Sequence, residues 1–99
     1  MLNITKQKQA QTLSVLLEGR LDTTTAPEME RALREDIADV TALRLDLSKL
    51  EYISSAGLRV LLSMQKIMNR QGSMKLTGVN DTVMEIFEIT GFCDILTIE

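Results

Sequence analysis

LRLDLSKLEYISSAGLRVLL, running from Leu43 to Leu62, decides how this chain folds. Leu43, Leu45 and Leu47 alternate with polar neighbours, which predicts a strand. Leu58, Val60, Leu61 and Leu62, continued by Met64, Ile67 and Met68, recur at helical spacing. Between the two patterns lies Ser54-Ser55-Ala56-Gly57, where a helix should begin. A serine at that point caps a free backbone N–H. Two serines beside a glycine also set an exposed hydroxyl next to converging amides. This turn is the candidate functional site, and it suits a switch better than a catalyst.

The 99 residues make one domain, 1–99, long enough to bury roughly two-thirds of the extended surface without staples. With 44% apolar and 25% charged residues the composition is that of an ordinary globular protein. Cys93 is the single cysteine, which excludes an intrachain disulfide and suits a reducing compartment. Met1 to Gln9 has no signal-peptide pattern, and no segment approaches the roughly twenty apolar residues of a membrane span. A cytoplasmic protein without membrane insertion is expected. The net charge is −3 and the basic residues are scattered, so no stripe exists for a phosphate backbone and no direct nucleic-acid binding is expected. The absence of histidine removes the commonest general base and the commonest metal ligand together.

Outward from the central stretch, the chain reads as alternating strands and helices. Asn3–Gln7 forms a first strand, Ala10-Gln11-Thr12 a turn, and Leu13, Val15 and Leu17 a second strand ending at Gly19. Thr25-Ala26-Pro27-Glu28 fits a capping box with proline in the first turn. The helix it opens, Thr25–Asp39, carries a narrow apolar stripe of Ala26, Met29, Leu33 and Ile37, continued by Val40. Strand three is Ala42–Leu47 and helix two Ser55–Arg70, broken at Gly72 as a left-handed residue. Met74 and Leu76 give strand four, Asp81–Thr90 helix three stopped by Gly91, and Phe92–Ile98 a last strand. The expected fold is α/β: a mixed sheet of about five strands with three main helices, in the order β-β-α-β-α-β-α-β. The six methionines fall mostly on helix faces and read as core fillers.

Enzyme chemistry finds little support. Ile53-Ser54-Ser55-Ala56-Gly57 lacks the leading glycine of a nucleophile elbow, no histidine can take a proton, and no phosphate loop is present. Asp22 and Asp46 are placed near one end of the sheet, where ligands of parallel sheets dock, yet nothing marks a pocket for paired acid–base work. Asp46 can hold the loop that follows it, and Asp22 begins a threonine-rich loop, Thr23-Thr24-Thr25. No catalytic residue, cofactor or metal is assigned. For Ser54 and Ser55 the plain alternative is helix capping. Ala56 and Gly57 are small enough to admit another protein's backbone, but Gly57 equally fits tight helix–sheet packing. On the first of these readings, Gly57→Leu would harm partner binding more than folding.

Asp46-Leu47-Ser48-Lys49-Leu50 followed by Tyr52-Ile53-Ser54-Ser55-Ala56-Gly57-Leu58 resembles the signature of the STAS domain, and more closely the stand-alone bacterial anti-sigma factor antagonists. Gly19-Arg20-Leu21-Asp22, the break at Gly72 and the closing Ile89-Thr90-Gly91-Phe92 fall in family order, so the resemblance spans nearly the whole chain. It implies a STAS-like (SpoIIaa-like) fold. It also implies a protein that binds an anti-sigma factor, often itself a serine kinase, and so liberates a sigma factor. Phosphorylation of one serine ends that binding and a serine phosphatase restores it.

Carried onto this chain, the resemblance makes Ser55 the phosphorylated serine. Ser54 stands where well-studied relatives carry aspartate, a departure that removes a negative charge beside the acceptor and adds a second hydroxyl. The implied partner-binding set is Asp22, Thr23, Asp46, Ser54, Ser55, Ala56, Gly57 and Arg59, on a monomer or weak dimer. The alternative is a constitutive accessory subunit of a lipid-transport ATPase or a stress-signalling complex, with Ser55 buried and never modified.

Overall fold

The computed structural model describes every residue, Met1–Glu99. β1 (Leu2–Gln9) and β2 (Thr12–Leu21) form an antiparallel hairpin over a two-residue turn at Ala10-Gln11. β3 (Ala42–Ile53) then runs parallel to β2, and β4 (Ser73–Thr77) parallel to β3, giving one mixed sheet in the order β1-β2-β3-β4. Three helices connect or follow the strands: α1 (Ala26–Arg34), α2 (Ser55–Gln71) and α3 (Asp81–Thr90). No helix is long and apolar enough to cross a membrane.

Alternation in the strands decides which face the helices cover. Leu13, Val15 and Leu17 of β2 and Leu43, Leu45 and Leu47 of β3 are buried beneath the helices, in one cluster with Met29, Leu33, Leu61, Met64, Met68 and Phe87. Four of the six methionines, Met29, Met64 and Met68 on the helices and Met74 on β4, thus sit in the core as fillers. The opposite face keeps Thr5, Gln7, Ser14, Arg44, Asp46 and Thr77 around a shallow polar hollow.

Four expectations are corrected. The first is the strand count, which is four. Phe92–Asp94 is a single 3₁₀ turn, and only Ile98 of the tail bridges Leu76 of β4. The apolar residues there do not alternate, and only Leu96 is buried. Helix one is the second: it ends at Arg34, and Ile37–Asp39 is a separate 3₁₀ turn. The stripe Met29, Leu33, Ile37, Val40 is buried straight through the break, which is why periodicity alone joins the two pieces. Lys6 closes that helix end, its Nζ donating to the Ala32 carbonyl at 2.8 Å and meeting Asp36 at 2.9 Å. Third, Thr25 makes no side-chain cap, because its hydroxyl is committed to the preceding loop. Fourth, Gly72 is extended at φ 172 rather than left-handed; glycine is required because a Cβ there would collide with the Thr41 carbonyl.

β3 is also longer than expected, and the extra length positions the site. Its buried residues switch from every second position (Leu43, Leu45, Leu47) to every third (Leu50, Ile53). Against β2 the register slips twice, from Leu16↔Asp46 to Glu18↔Lys49 and from Gly19↔Leu50 to Arg20↔Tyr52. Each slip is a bulge that inserts one residue into β3 and keeps the next leucine or isoleucine facing the core. The strand therefore reaches Ile53 beside Leu21 and delivers Ser54 to the end of β2, where the Ser54 N–H donates to the Leu21 carbonyl at 2.8 Å.

Candidate functional site

α2 starts on two serines with different duties. Ser54 is the N-cap, in extended backbone, and its Oγ accepts from the Gly57 N–H at 3.4 Å. Ser55 is the first helical residue, is exposed, and its hydroxyl makes no hydrogen bond within the protein. The first-turn amides of a helix have no partner within the helix. No acidic residue occurs anywhere in α2, whose only charges are Arg59, Lys66 and Arg70. Together with the positive end of the helix dipole, these make the surroundings of Ser55 tolerant of an anion.

Asp22 organises the neighbouring loop. Its Oδ1 accepts from the Thr24 N–H at 3.0 Å and the Thr25 N–H at 3.1 Å. In return the Asp22 N–H donates to the Thr25 hydroxyl at 2.9 Å, and that hydroxyl lies 2.9 Å from the Arg20 carbonyl. The carboxylate is thus engaged inside the loop, leaving Thr23 exposed at its tip. Hydrogen bonding from the Thr25 amide, above all, holds the Asp22 carboxyl below the usual carboxylate range; partial desolvation opposes it, and the Thr25 hydroxyl and Thr24 amide add to it.

A pH expectation follows from that direction. A depressed folded-state pKa means the loop's contribution is complete above the unfolded carboxylate value of about 3.9. It is lost as pH falls through the lower folded value. Amide resonances of Thr24 and Thr25 should therefore shift together in acid below about pH 4. Asp22→Ala should abolish the shared transition, and its persistence in that variant would deny Asp22 the role.

The structure gathers some of the expected residues and separates others. Thr23, Ala56 and Arg59 line one shallow groove between α1 and α2, and Ser54 and Ser55 begin the helix that forms its wall. Pro27, Glu30 and Val60 line the same groove and escaped the sequence reading. Their signal was available in the helical spacing of Pro27–Glu30 and Ala56–Val60.

Asp46 lies elsewhere. It sits inside β3 on the polar sheet face with Arg44 and Thr77, its Oδ1 accepting from the Ser48 N–H at 2.9 Å across the first bulge. More than about 20 Å of strand separates it from Ser54, so Asp22 and Asp46 do not share an edge.

Gly57 faces inward rather than toward a partner. It is buried, and a Cβ on it would stand 2.7 Å from Leu21 Cγ and 2.9 Å from Ile53 Cγ1. The glycine lets α2 lie close on the ends of β2 and β3. The expectation that Gly57→Leu harms binding more than folding is thereby reversed.

Residues 3–99 match the STAS domain family. Over 96 residues the chain is 31% identical to the anti-sigma-B factor antagonist of Listeria monocytogenes, spanning 95% of this chain and 84% of that one. An anti-sigma factor antagonist from Mycobacterium paratuberculosis superposes with a TM-score of 0.89 at 22% identity, over 99% of this chain and 85% of that one. The Bacillus cell fate determinant SpoIIAA, in its phosphorylated form, superposes with a TM-score of 0.76 at 17% identity, over 98% and 91% of the two chains. The two solved structures bear on the fold, and the match over almost the full chain bears on descent. The protein belongs to the STAS domain family.

Proposed function

We propose that this protein is an anti-sigma factor antagonist that works by partner switching in the cytoplasm. In its unmodified form it binds an anti-sigma factor that is also a serine kinase, through the groove between α1 and α2. Phosphorylation of Ser55 ends the binding, and a serine phosphatase restores it. The protein acts by occupying its partner, without catalysis, a cofactor, nucleic-acid contact or membrane insertion. The relatives named anti-sigma-B factor antagonist support the class of partner.

One observation carries the choice of residue. Of two adjacent serines, Ser54 is engaged as the helix cap, while Ser55 is exposed with an unengaged hydroxyl, next in sequence to the groove-lining Ala56. A kinase needs a hydroxyl it can reach and turn. Ser55 offers one at no cost to the helix. Thr23 and Arg59 flank it as contacts for the same partner, and Ala56 leaves room for close approach.

Incubation with candidate kinase partners and ATP, followed by mass-spectrometric mapping, tests the assignment. Phosphate should appear on Ser55 in the wild type and in Ser54→Ala, and disappear in Ser55→Ala. Label on Ser54 that is lost in Ser54→Ala would move the switch by one residue.

A further inference from the structure

We propose that the free edge of β1 pairs with β1 of a second copy of this chain, joining the two sheets antiparallel about a two-fold axis at Thr5. The two edges of the sheet are treated differently. At β4 the C-terminal tail closes the edge: Leu76 N–H donates to the Thr97 carbonyl at 2.9 Å, and Glu99 N–H to the Leu76 carbonyl at 2.8 Å. Nothing in the chain lies beyond β1.

The hairpin register fixes which groups of β1 face outward. Leu2 stands opposite Gly19, and the Met1 carbonyl accepts from the Arg20 N–H. Odd-numbered residues therefore exchange hydrogen bonds with β2, and Leu2, Ile4, Lys6 and Lys8 present theirs to the open edge. Exposed edges are ordinarily guarded by short length, proline, bulges or charged side chains, lysine above all. β1 has no proline and pairs with β2 over eight residues without a slip. Its two lysines are drawn off the edge onto the helix side, Lys6 to Asp36 and the Ala32 carbonyl, Lys8 to Asp39 at 2.6 Å.

Charge and register then select the occupant and its alignment. With the axis through Thr5, Leu2 faces Lys8 of the second copy and Ile4 faces Lys6. Every outward N–H and C=O from Leu2 to Lys8 gains a partner, and no like charges oppose. Moving the axis to Lys6 sets that lysine against itself; moving it to Ile4 strands Lys8 without a partner. On the polar face Thr5 meets Thr5 at a closely spaced, non-hydrogen-bonded position, a favourable cross-strand pair. One strand edge buries less than the roughly 800 Å² per partner of a standard stable interface. The dimer is accordingly weak and concentration-dependent.

Sedimentation equilibrium over a concentration series, paired with amide hydrogen exchange, tests this. The wild type should show reversible monomer and dimer. The Ile4, Lys6 and Lys8 amides should slow with concentration, while Thr5 and Gln7, already bonded to β2, hold their rates. Thr5→Glu faces two carboxylates across the axis at an exposed position and should weaken the dimer at least about tenfold. Lys8→Pro removes an outward N–H together with the exposed Lys8–Asp39 ion pair, which lies on the helix side away from the edge, and should weaken the dimer independently. A wild type that stays monomeric throughout overturns the proposal. So does a dimer unmoved by both variants, or one whose slowed amides lie outside β1.

Discussion

Gly57→Leu should destabilise the domain by more than about 3 kcal/mol and lower its Tm by more than about 12 °C. The first carbon of the new side chain already meets Leu21 Cγ at 2.7 Å and Ile53 Cγ1 at 2.9 Å. Leu21 is fully buried and Ile53 nearly so, and neither has room to retreat. Overpacking of this kind costs about 1–3 kcal/mol per modest insertion, and leucine adds three further carbons at the same point. Replacing glycine inside a helix returns at most about 1 kcal/mol. The balance is a large share of the roughly 5–15 kcal/mol that holds a domain together. Gly57→Ala, with the contact of the first carbon alone, should fall between the variant and the wild type. Urea denaturation of the three proteins measures this directly. A midpoint for Gly57→Leu unchanged from wild type would mean that α2 can lift off the strand ends, and would return Gly57 to the surface.

The course of this glycine shows where sequence reading reaches its limit. Periodicity located α2 and α3 within a residue, because a long amphipathic helix repeats its signal several times. It also named Ser54 and Ser55 as the helix start, since a cap must sit where period two gives way to helical spacing. The second half of β3 was hidden because two bulges turn its buried spacing from two to three, and Leu47, Leu50 and Ile53 then resemble no regular element. The direction in which Gly57 faces depends on those same bulges, which set where β3 delivers the turn. Asp22 and Asp46 were indistinguishable as lone acids after apolar residues. Only the fold reveals that one ties a loop beside the groove while the other lies on the far sheet face. The tail misled for the opposite reason. Its apolar composition reads as a strand, but Gly91, left-handed at φ 79, turns the chain into a 3₁₀ loop first.

Phosphorylation of Ser55 should weaken binding to the cognate anti-sigma factor about a hundredfold or more, equivalent to ~2.7 kcal/mol. Phosphate adds about −1.5 to −2 charges at neutral pH. Within the domain those charges meet the free first-turn amides of α2, the positive end of its dipole and Arg59 one turn on, so the fold should change little. The partner meets them differently. A surface closed over Ala56 and the α1–α2 groove has no space for a hydrated dianion, and burying it unpaired costs several kcal/mol, roughly. Ser55→Ala should fold, bind and resist release by kinase and ATP. Ser55→Asp should weaken binding by less than phosphate does, having one carboxylate in place of a dianion.

The decisive measurement is a titration of the cognate anti-sigma factor with stoichiometrically Ser55-phosphorylated protein and with the unmodified protein, side by side. The account predicts an affinity at least about a hundredfold lower for the phosphorylated form, with circular dichroism of the two forms alike. Equal affinities would contradict it, and would make the groove a constitutive contact of an accessory subunit instead.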